Sequence, residues 1–342
     1  MCGTCSHTTP PFLRIAESNL MYFFSDSFIN VRSTLYVSDV IKKEQIMKSM
    51  NNIEMPGAVF IGEHPSDSPE WHELRSRGIG GSEIGTIMGL NPWESAYSLW
   101  AKKSGKIEDS VKENWAIRLG KAFEEPILRL FQEQHPELEI YTCGTFQSKH
   151  QDFMLANPDA MAYDPVAKKW IVIEIKTART SWESVPEHYI AQVQHYMYVM
   201  GVDQAVVVAV AGMNYQEYSV MADKFQQMAQ ADRAVQFWHN LLNDVKPEWD
   251  GSDSTYQAVR LMHPDIDDTE CDLGDLAIHL HNAQARADEA TAELTKIKSI
   301  TMDAMGKSRH GIFEDDNGNK YRVASRQIRG GNPTLIVHRK GK

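Results

Sequence analysis

Two acidic residues and a lysine form the part of the sequence that is best suited to chemistry. Asp159 follows Pro158 in a turn signature, and Glu174 and Lys176 lie two residues apart further along the chain. Carboxylate oxygens are the ligands that Mg²⁺ prefers in proteins. A lysine beside such an ion can orient or activate a water molecule, or stabilise negative charge that develops during a reaction. We therefore expect these three side chains to meet.

The strand that carries Glu174 and Lys176 is predicted at Trp170–Thr177. Side chains alternate between the two faces of a strand, so Glu174 and Lys176 share one face, about 7 Å apart at their Cα atoms. A set of isoleucines points to the other face, towards a core: Ile171, Ile173 and Ile175. A glutamate and a lysine on an open strand face usually form a solvated ion pair. The acidic turn on a neighbouring predicted strand weakens that alternative, and both interpretations stay open.

A helix predicted at Glu187–Met200 adds polar side chains. Tyr189, Gln192 and Tyr196 are spaced three and then four residues apart, so they lie on one face of that helix. A glutamine and two tyrosines could bind a water molecule, a metal-bound oxygen or a phosphate. The alternative is a half-buried polar stripe with no part in chemistry.

Arg75 and the turn that follows it are a candidate anion-binding site. The glycine-rich run at 78–82 ends at Ser82, which is predicted to cap the next helix. Free N–H groups at a helix N-terminus favour an anion, and an arginine adds a bidentate phosphate donor. The alternative is a plain turn between two helices. Glu124 and Glu125 are weaker candidates, because exposed glutamates are common on helices.

The elements that must position these residues alternate between helix and strand, which indicates an α/β fold. Short helices are expected at Glu70–Arg77, from Ser82 and from Asn91, and a longer one at 115–133 that contains Pro126. The remaining expected strands are Ile140–Gln147, Phe153–Ala156, Ala205–Ala211 and Glu217–Met221.

The two ends of the chain differ from this middle part. Residues 1–60 lack a sustained helical or strand period and are expected to be poorly ordered. Residues 65–250 are expected to form the main domain, and residues 265–342 an extension. In that extension Leu273–Ile300 has apolar residues at a spacing typical of a coiled coil, and a β-hairpin or two is expected at Gly311–Val337.

Composition restricts the class of protein. The 342 residues carry a net charge of −11, which alone argues against a nucleic-acid binder. The charge is uneven, however, because residues 296–342 hold eleven Lys and Arg against four Asp and Glu. The four cysteines do not form a disulfide framework, and no apolar run is long enough for a membrane span. We expect a cytoplasmic protein with no membrane contact.

Taken in order, the motifs resemble the lambda-exonuclease and YqaJ-like family of phage recombination nucleases. Each motif is weak alone, but the ordered series is specific and covers roughly Pro69 to Met221. The series is WHxLR from Trp71, GIGGSE from Gly78, GLNPW from Gly89, GxxxE from Gly120, NPD from Asn157, EIKT from Glu174 and YIAQVQxY from Tyr189.

The resemblance implies a restriction-endonuclease-like PD-(D/E)xK core: a mixed central sheet flanked by helices, with the C-terminal helical and β-hairpin extension added. Asp159 and Glu174 look like metal ligands, joined by the Ile175 carbonyl, and Lys176 looks like the catalytic lysine. Gln192 looks like the family's active-site glutamine.

Three further positions match the family. Glu124 looks like the helix carboxylate that completes a second metal position, although Glu125 adjoins it. Arg75 and Ser82 look like the pocket that holds a DNA 5′-phosphate. The implied cofactor is Mg²⁺, two ions per site, with Mn²⁺ as a substitute.

The implied activity is digestion of one strand of linear duplex DNA from a 5′ end, which leaves a 3′ single strand for recombination. The implied partners are a phage single-strand annealing protein and further copies of the chain, with a trimer as one form, in the cytoplasm of a bacterial host. Two alternatives stay open: an endonuclease on the same fold, and a non-catalytic DNA-binding or assembly protein.

Overall fold

The computed structural model describes residues 47–51, 53–64, 68–108 and 114–338. They fall into two compact units, which divide between Pro264 and Asp265. No helix in these ranges is both long and apolar enough to cross a membrane.

The first unit is built around a mixed sheet. The strands of the whole unit, in chain order, are β1 (Lys48–Ser49), β2 (Ala58–Gly62), β3 (Glu139–Thr142), β4 (Thr145–Ser148), β5 (Leu155–Ala156), β6 (Ala160–Asp164), β7 (Lys169–Ala178), β8 (Gln204–Ala211) and β9 (Asn214–Met221). The central sheet has the order β1-β3-β6-β7-β8-β9, with β7 parallel to β8 and antiparallel to β6. The predicted mixed α/β fold is confirmed.

A smaller sheet, with the order β2-β4-β5, corrects one sequence prediction. The strand expected at Ile140–Gln147 is two strands in two different sheets. The chain passes between them at Gly144, where an added Cβ would lie 2.5 Å from the carbonyl oxygen of Gly62. A side chain does not fit at that crossing, and no local pattern reveals a contact made from 82 residues away along the chain.

The helices of this unit are α1 (Pro69–Ser76), α2 (Gly81–Ile87), α3 (Ala96–Lys103), α4 (Trp115–Gln134), α5 (Glu187–Met200), α6 (Lys224–Leu242) and α7 (Asp253–Met262). The range predicted for α5 is confirmed at both ends. Pro126 lies inside α4, as expected.

Two predicted helix starts are wrong. The N-cap of α2 is Gly80 rather than Ser82, because the Glu83 carboxylate accepts the Gly80 N–H at 2.8 Å. Helix α3 begins after Ser95 rather than at Asn91. The Asn91 side chain instead accepts the Trp93 N–H at 2.9 Å, which stabilises a turn before the helix.

Strand β7 separates two apolar cores. Ile171, Ile173 and Ile175 pack with Phe131 of α4 on one face. Val172 packs with α5 residues on the other face. The predicted alternation is therefore confirmed, and it places Glu174 on the α5 side.

The prediction that residues 1–60 are poorly ordered is wrong for the part that the structure describes. Met50 and Met55 are fully buried in the main core, and β1 and β2 each join a sheet. The lack of a clear period there reflects very short strands and connecting loops. Residues 1–46 and 52 lie outside the described residues.

The second unit consists of a long helix and a three-stranded antiparallel sheet. Helix α8 spans Asp275–Met305, and the strands are β10 (His310–Glu314), β11 (Lys320–Arg329) and β12 (Asn332–Val337). The helix runs five residues beyond the predicted end at Ile300. The sheet is two successive hairpins, as expected for this range, and the first turns through Asp315–Asn319.

Candidate active site

The acidic turn is tied directly to strand β7. Asp159 lies immediately before β6, and its Oδ2 atom accepts the backbone N–H of Ile175 at 2.6 Å. Ile175 therefore has its own side chain in the core while its backbone holds Asp159 beside Glu174 and Lys176. The structure brings the three predicted residues together.

Glu174 is the most deeply buried member of the set, with 2% of its surface exposed. Its Oε1 atom accepts hydrogen bonds from Lys176 Nζ and, at 2.6 Å, from Gln192 Nε2. Its Oε2 atom is buried and has no hydrogen-bond partner among the described residues. A buried carboxylate oxygen without a partner is costly, so this atom is suited to accept a cation.

The charged groups of the site shift one another's pKa values. Burial, followed by the nearby charge of Asp159, raises the pKa of Glu174 to about 8. Burial also raises the pKa of Asp159, although the Lys176 ammonium opposes the shift. Burial alone would lower the pKa of Lys176, but Glu174 and Asp159 outweigh it and raise that pKa. When both buried carboxylates are ionised, one lysine does not neutralise them, so the ionised site has a deficit of positive charge.

Glu124 lies at the edge of this group. Glu124 as a whole is exposed on α4, but its carboxylate is partly surrounded by other groups of the site. This partial burial and the charge of Asp159 raise the pKa of Glu124 to about 7. Within the described residues, no three His, Cys, Asp or Glu side chains converge closely enough to enclose a metal ion. The neighbouring Glu125 pairs with Arg129 at 2.5 Å, which leaves Glu124 as the α4 carboxylate facing the site.

The polar face of α5 completes one wall. Gln192 Nε2 lies 3.1 Å from the Tyr196 hydroxyl as well as donating to Glu174. Lys176 Nζ lies 5.0 Å from the centre of the Tyr189 ring. Tyr196 packs so closely on α2 that a Cβ at Gly81 would lie 2.4 Å from its ring. All three predicted α5 residues therefore surround the Glu174–Lys176 pair or support its neighbours.

The residues of the predicted phosphate pocket lie close together. Arg75 Nη2 lies 3.3 Å from Ser82 Oγ and 3.2 Å from Glu83 Oε1, and its guanidinium group lies 4.6 Å from the Trp71 ring centre. The roles of Arg75 and Ser82 in binding phosphate stay predictions.

Sequence reasoning missed a buried ion cluster beneath this pocket. Glu83 is 7% exposed and accepts from Lys103 Nζ at 3.0 Å as well as from Arg75 and from the Gly80 N–H. The charges of Lys103 and Arg75 outweigh burial and lower the pKa of Glu83. The spacing of Gly80 and Glu83, three residues apart, was an available signal for the cap. The partner lysine, 20 residues further on, had no local signal.

Residues 70–203 are similar to a described family of proteins. They match the family model for the YqaJ-like viral recombinase domain. The uncharacterized protein YqaJ of Bacillus subtilis is 27% identical over 213 residues, a match that covers 59% of this chain and 65% of that protein. The chain thus spans just under two thirds of that relative's length.

Two solved structures resemble part of the chain. An alkaline exonuclease from Laribacter hongkongensis aligns with a TM-score of 0.44 and 17% identity, over 52% of this chain and 94% of that one. A phage-related exonuclease from Haemophilus somnus aligns with a TM-score of 0.39 and 13% identity, over 49% and 96%.

Proposed function

We propose that this protein is a metal-dependent deoxyribonuclease that resects the ends of linear duplex DNA, because residues 70–203 match the model of the YqaJ-like viral recombinase domain. It digests one strand from the 5′ end and leaves a 3′ single strand. The observation that carries the proposal is the meeting of Asp159, Glu174 and Lys176, with one buried Glu174 oxygen lacking a partner. The family match supports a nuclease role. The direction of digestion and the identity of the cation are proposed in addition.

The residues present fit a divalent cation. Asp159 and Glu174 are hard oxygen donors, and the Glu174 Oε2 atom is available to a ligand. The Ile175 carbonyl and Glu124 would complete the coordination of one or two Mg²⁺ ions, with Mn²⁺ as a substitute. When bound, the metal supplies Lewis-acid polarisation of the scissile phosphate.

The protein's own groups have separable tasks. Lys176 is held against Glu174, where its ammonium group can orient the attacking water and stabilise charge on the phosphate oxygens. Gln192 fixes the Glu174 carboxylate from the α5 side. The water oxygen forms a new bond to phosphorus while the bond to the leaving oxygen, in line with it, breaks.

The pocket at the N-terminus of α2 holds the terminal phosphate. Arg75 supplies a guanidinium group, Ser82 a hydroxyl, and the first turn of the helix the positive end of its dipole. This fixes the DNA end relative to Lys176 and thereby selects ends over internal sites. In this proposal the 3′ strand passes to a single-strand annealing protein, and the enzyme acts as a homo-oligomer, of which a trimer is one form, in the host cytoplasm.

The test is a strand-resolved digestion. Linear duplex with a 5′-phosphate and a label on each strand end in turn is incubated with Mg²⁺, Mn²⁺ or EDTA, beside closed circular DNA. We expect stepwise loss from the 5′ end in Mg²⁺, none in EDTA and none on the circle. Cleavage of the circle would instead indicate an endonuclease, and no cation-dependent cleavage of any DNA would indicate a non-catalytic binding protein.

A further inference from the structure

Helix α8 is exposed along nearly its whole length. It spans Asp275–Met305, and of these described residues only Met305, the last one, is buried. Leu280 and Ile297 are 61% and 51% exposed. Helices in proteins are stabilised mainly by the packing of an apolar face. A helix of 31 residues that exposes leucines and isoleucines is therefore expected to have a partner.

The exposed apolar side chains of α8 form one stripe. They recur at alternating intervals of four and three residues, the spacing at which the a and d positions of a coiled coil face a second helix. The heptad stripe, as we name it, consists of seven exposed positions: Leu276, Leu280, Ala283, Ala287, Ala290, Leu294 and Ile297. The strict repeat selects a helix as the partner, because two supercoiled helices keep such a stripe in continuous contact.

The side-chain sizes in the heptad stripe favour an antiparallel pair of α8 helices. Two large residues lie at each end of the stripe, and three alanines lie between them. In a parallel pair each alanine would face itself, which leaves three successive layers underfilled. In an antiparallel pair, Ala287 can face Ala290 of the second copy. Ala283 then faces Leu294, so that a large side chain fills the space beside a small one.

The charges beside the heptad stripe favour the same arrangement. Arg286 and Glu293 each lie one residue before an a position, on the same edge of the stripe, and both are exposed. The register that pairs Ala287 with Ala290 brings Arg286 of each copy beside Glu293 of the other. Opposite charges at such flanking positions set the choice of partner and the orientation of a coiled coil. A second copy of this chain therefore complements α8 in both shape and charge.

We propose that α8 forms an antiparallel coiled coil with α8 of a second copy of the chain. This names the surface of contact for the homo-oligomer of the proposed function, and it does not depend on cleavage of DNA. A helix of another protein and another segment of this chain are the competing occupants, which the test separates from a second copy.

The test compares self-association of matched variants. Sedimentation equilibrium of the full chain is recorded over a wide range of concentrations, in EDTA and without DNA. Leu280→Glu places a charge in the heptad stripe, whereas Ile278→Glu places the same charge on the opposite side of the helix. The two original side chains are 61% and 60% exposed. We expect Leu280→Glu to raise the dissociation constant of the pair by about a hundredfold or more, because it buries unpaired charge. Ile278→Glu should associate like the wild-type protein.

The orientation is tested by exchanging charges. Arg286→Glu should weaken association by about tenfold, because it faces Glu293 at both ends of the pair. Adding Glu293→Arg should restore wild-type association, because each contact again joins opposite charges. Both substitutions place good helix formers at exposed positions, so they preserve the helix. Far-UV circular dichroism of every variant checks the folding.

Equal association of Leu280→Glu and Ile278→Glu would overturn the proposal. A wild-type protein that stays monomeric at all concentrations would also overturn it, in favour of one of the competing occupants. A parallel pair would bring Glu293 beside Lys298 and Arg286 beside Thr291. A double variant that stays weakened would therefore contradict the antiparallel arrangement. A protein that associates as expected but cleaves no DNA with any metal would refute the nuclease proposal alone.

Discussion

Two buried glutamates in the first unit have nearly equal exposure and opposite electrostatics. Glu83 is 7% exposed and Glu174 is 2% exposed. Both oxygens of Glu83 are used, by Arg75, Lys103 and the Gly80 N–H, and its pKa is lowered. Glu174 has one oxygen without a partner in the described residues, and its pKa is raised to about 8. The first carboxylate is complete within the fold, whereas the second has one oxygen left for the cation of the proposed function.

The largest expected effect comes from the incomplete carboxylate. Glu174→Gln keeps the shape of the side chain but removes the charge that would bind metal. We expect cleavage to fall by roughly a thousandfold or more, on the scale of losing a principal electrostatic group. At pH 8 the metal-free variant should be at least as stable as the wild-type protein, because it no longer buries a poorly compensated charge. Steady-state cleavage rates and urea denaturation measure the two quantities.

The corresponding substitution at Glu83 should destabilise the protein, whereas Glu174→Gln should not. Glu83→Gln leaves the Lys103 side chain, 5% exposed, without its counter-charge. We expect the free energy of unfolding to fall by about 3 kcal/mol, as when one partner of a buried ion pair is removed. Urea denaturation of Glu83→Gln beside Glu174→Gln provides the comparison. Equal stabilities of the two variants would show that the distinction is wrong.

The two adjacent acids of α4 form a matched pair. Glu124 feels the charge of Asp159, whereas Glu125 pairs with Arg129. We expect Glu124→Gln to lower the cleavage rate by about tenfold to a hundredfold, on the scale of one positioned polar group. Glu125→Gln should cleave like the wild-type protein. If the two variants exchanged these outcomes, Glu125 rather than Glu124 would belong to the site.

The smallest expected effect concerns choice of substrate. Arg75→Ala removes the guanidinium group of the phosphate pocket, so the preference for 5′-phosphorylated over 5′-hydroxyl ends should fall by about tenfold, on the scale of one charge-assisted hydrogen bond. Competition between the two kinds of end measures the preference. A variant that discriminates as well as the wild-type protein would place the terminal phosphate elsewhere.

The two glutamates also show which features of the site could be predicted from the sequence. The period of two in β7 predicted which face carries Glu174 and Lys176, and the helical spacing of α5 predicted that Gln192 shares a face with two tyrosines. Both inferences use local geometry, which a sequence records directly.

Contacts between distant segments are not recorded in this way. The pairing of Glu83 with Lys103 joins two helices, and the break at Gly144 depends on the carbonyl of Gly62. The burial of Met50 and Met55 depends on a core assembled from the whole first unit. These features follow from tertiary packing, so local patterns gave no sign of them.

Isothermal titration calorimetry of the metal-free protein with Mg²⁺ and Mn²⁺, beside Glu174→Gln, tests the central claim most directly. Near pH 7 the raised pKa values of Glu174 and Glu124 mean that these carboxyls hold protons that a bound cation must displace. Buffers with different ionisation enthalpies should therefore reveal release of about one proton per wild-type molecule, and Glu174→Gln should bind no cation at the site. Equal binding by the two proteins would contradict the account.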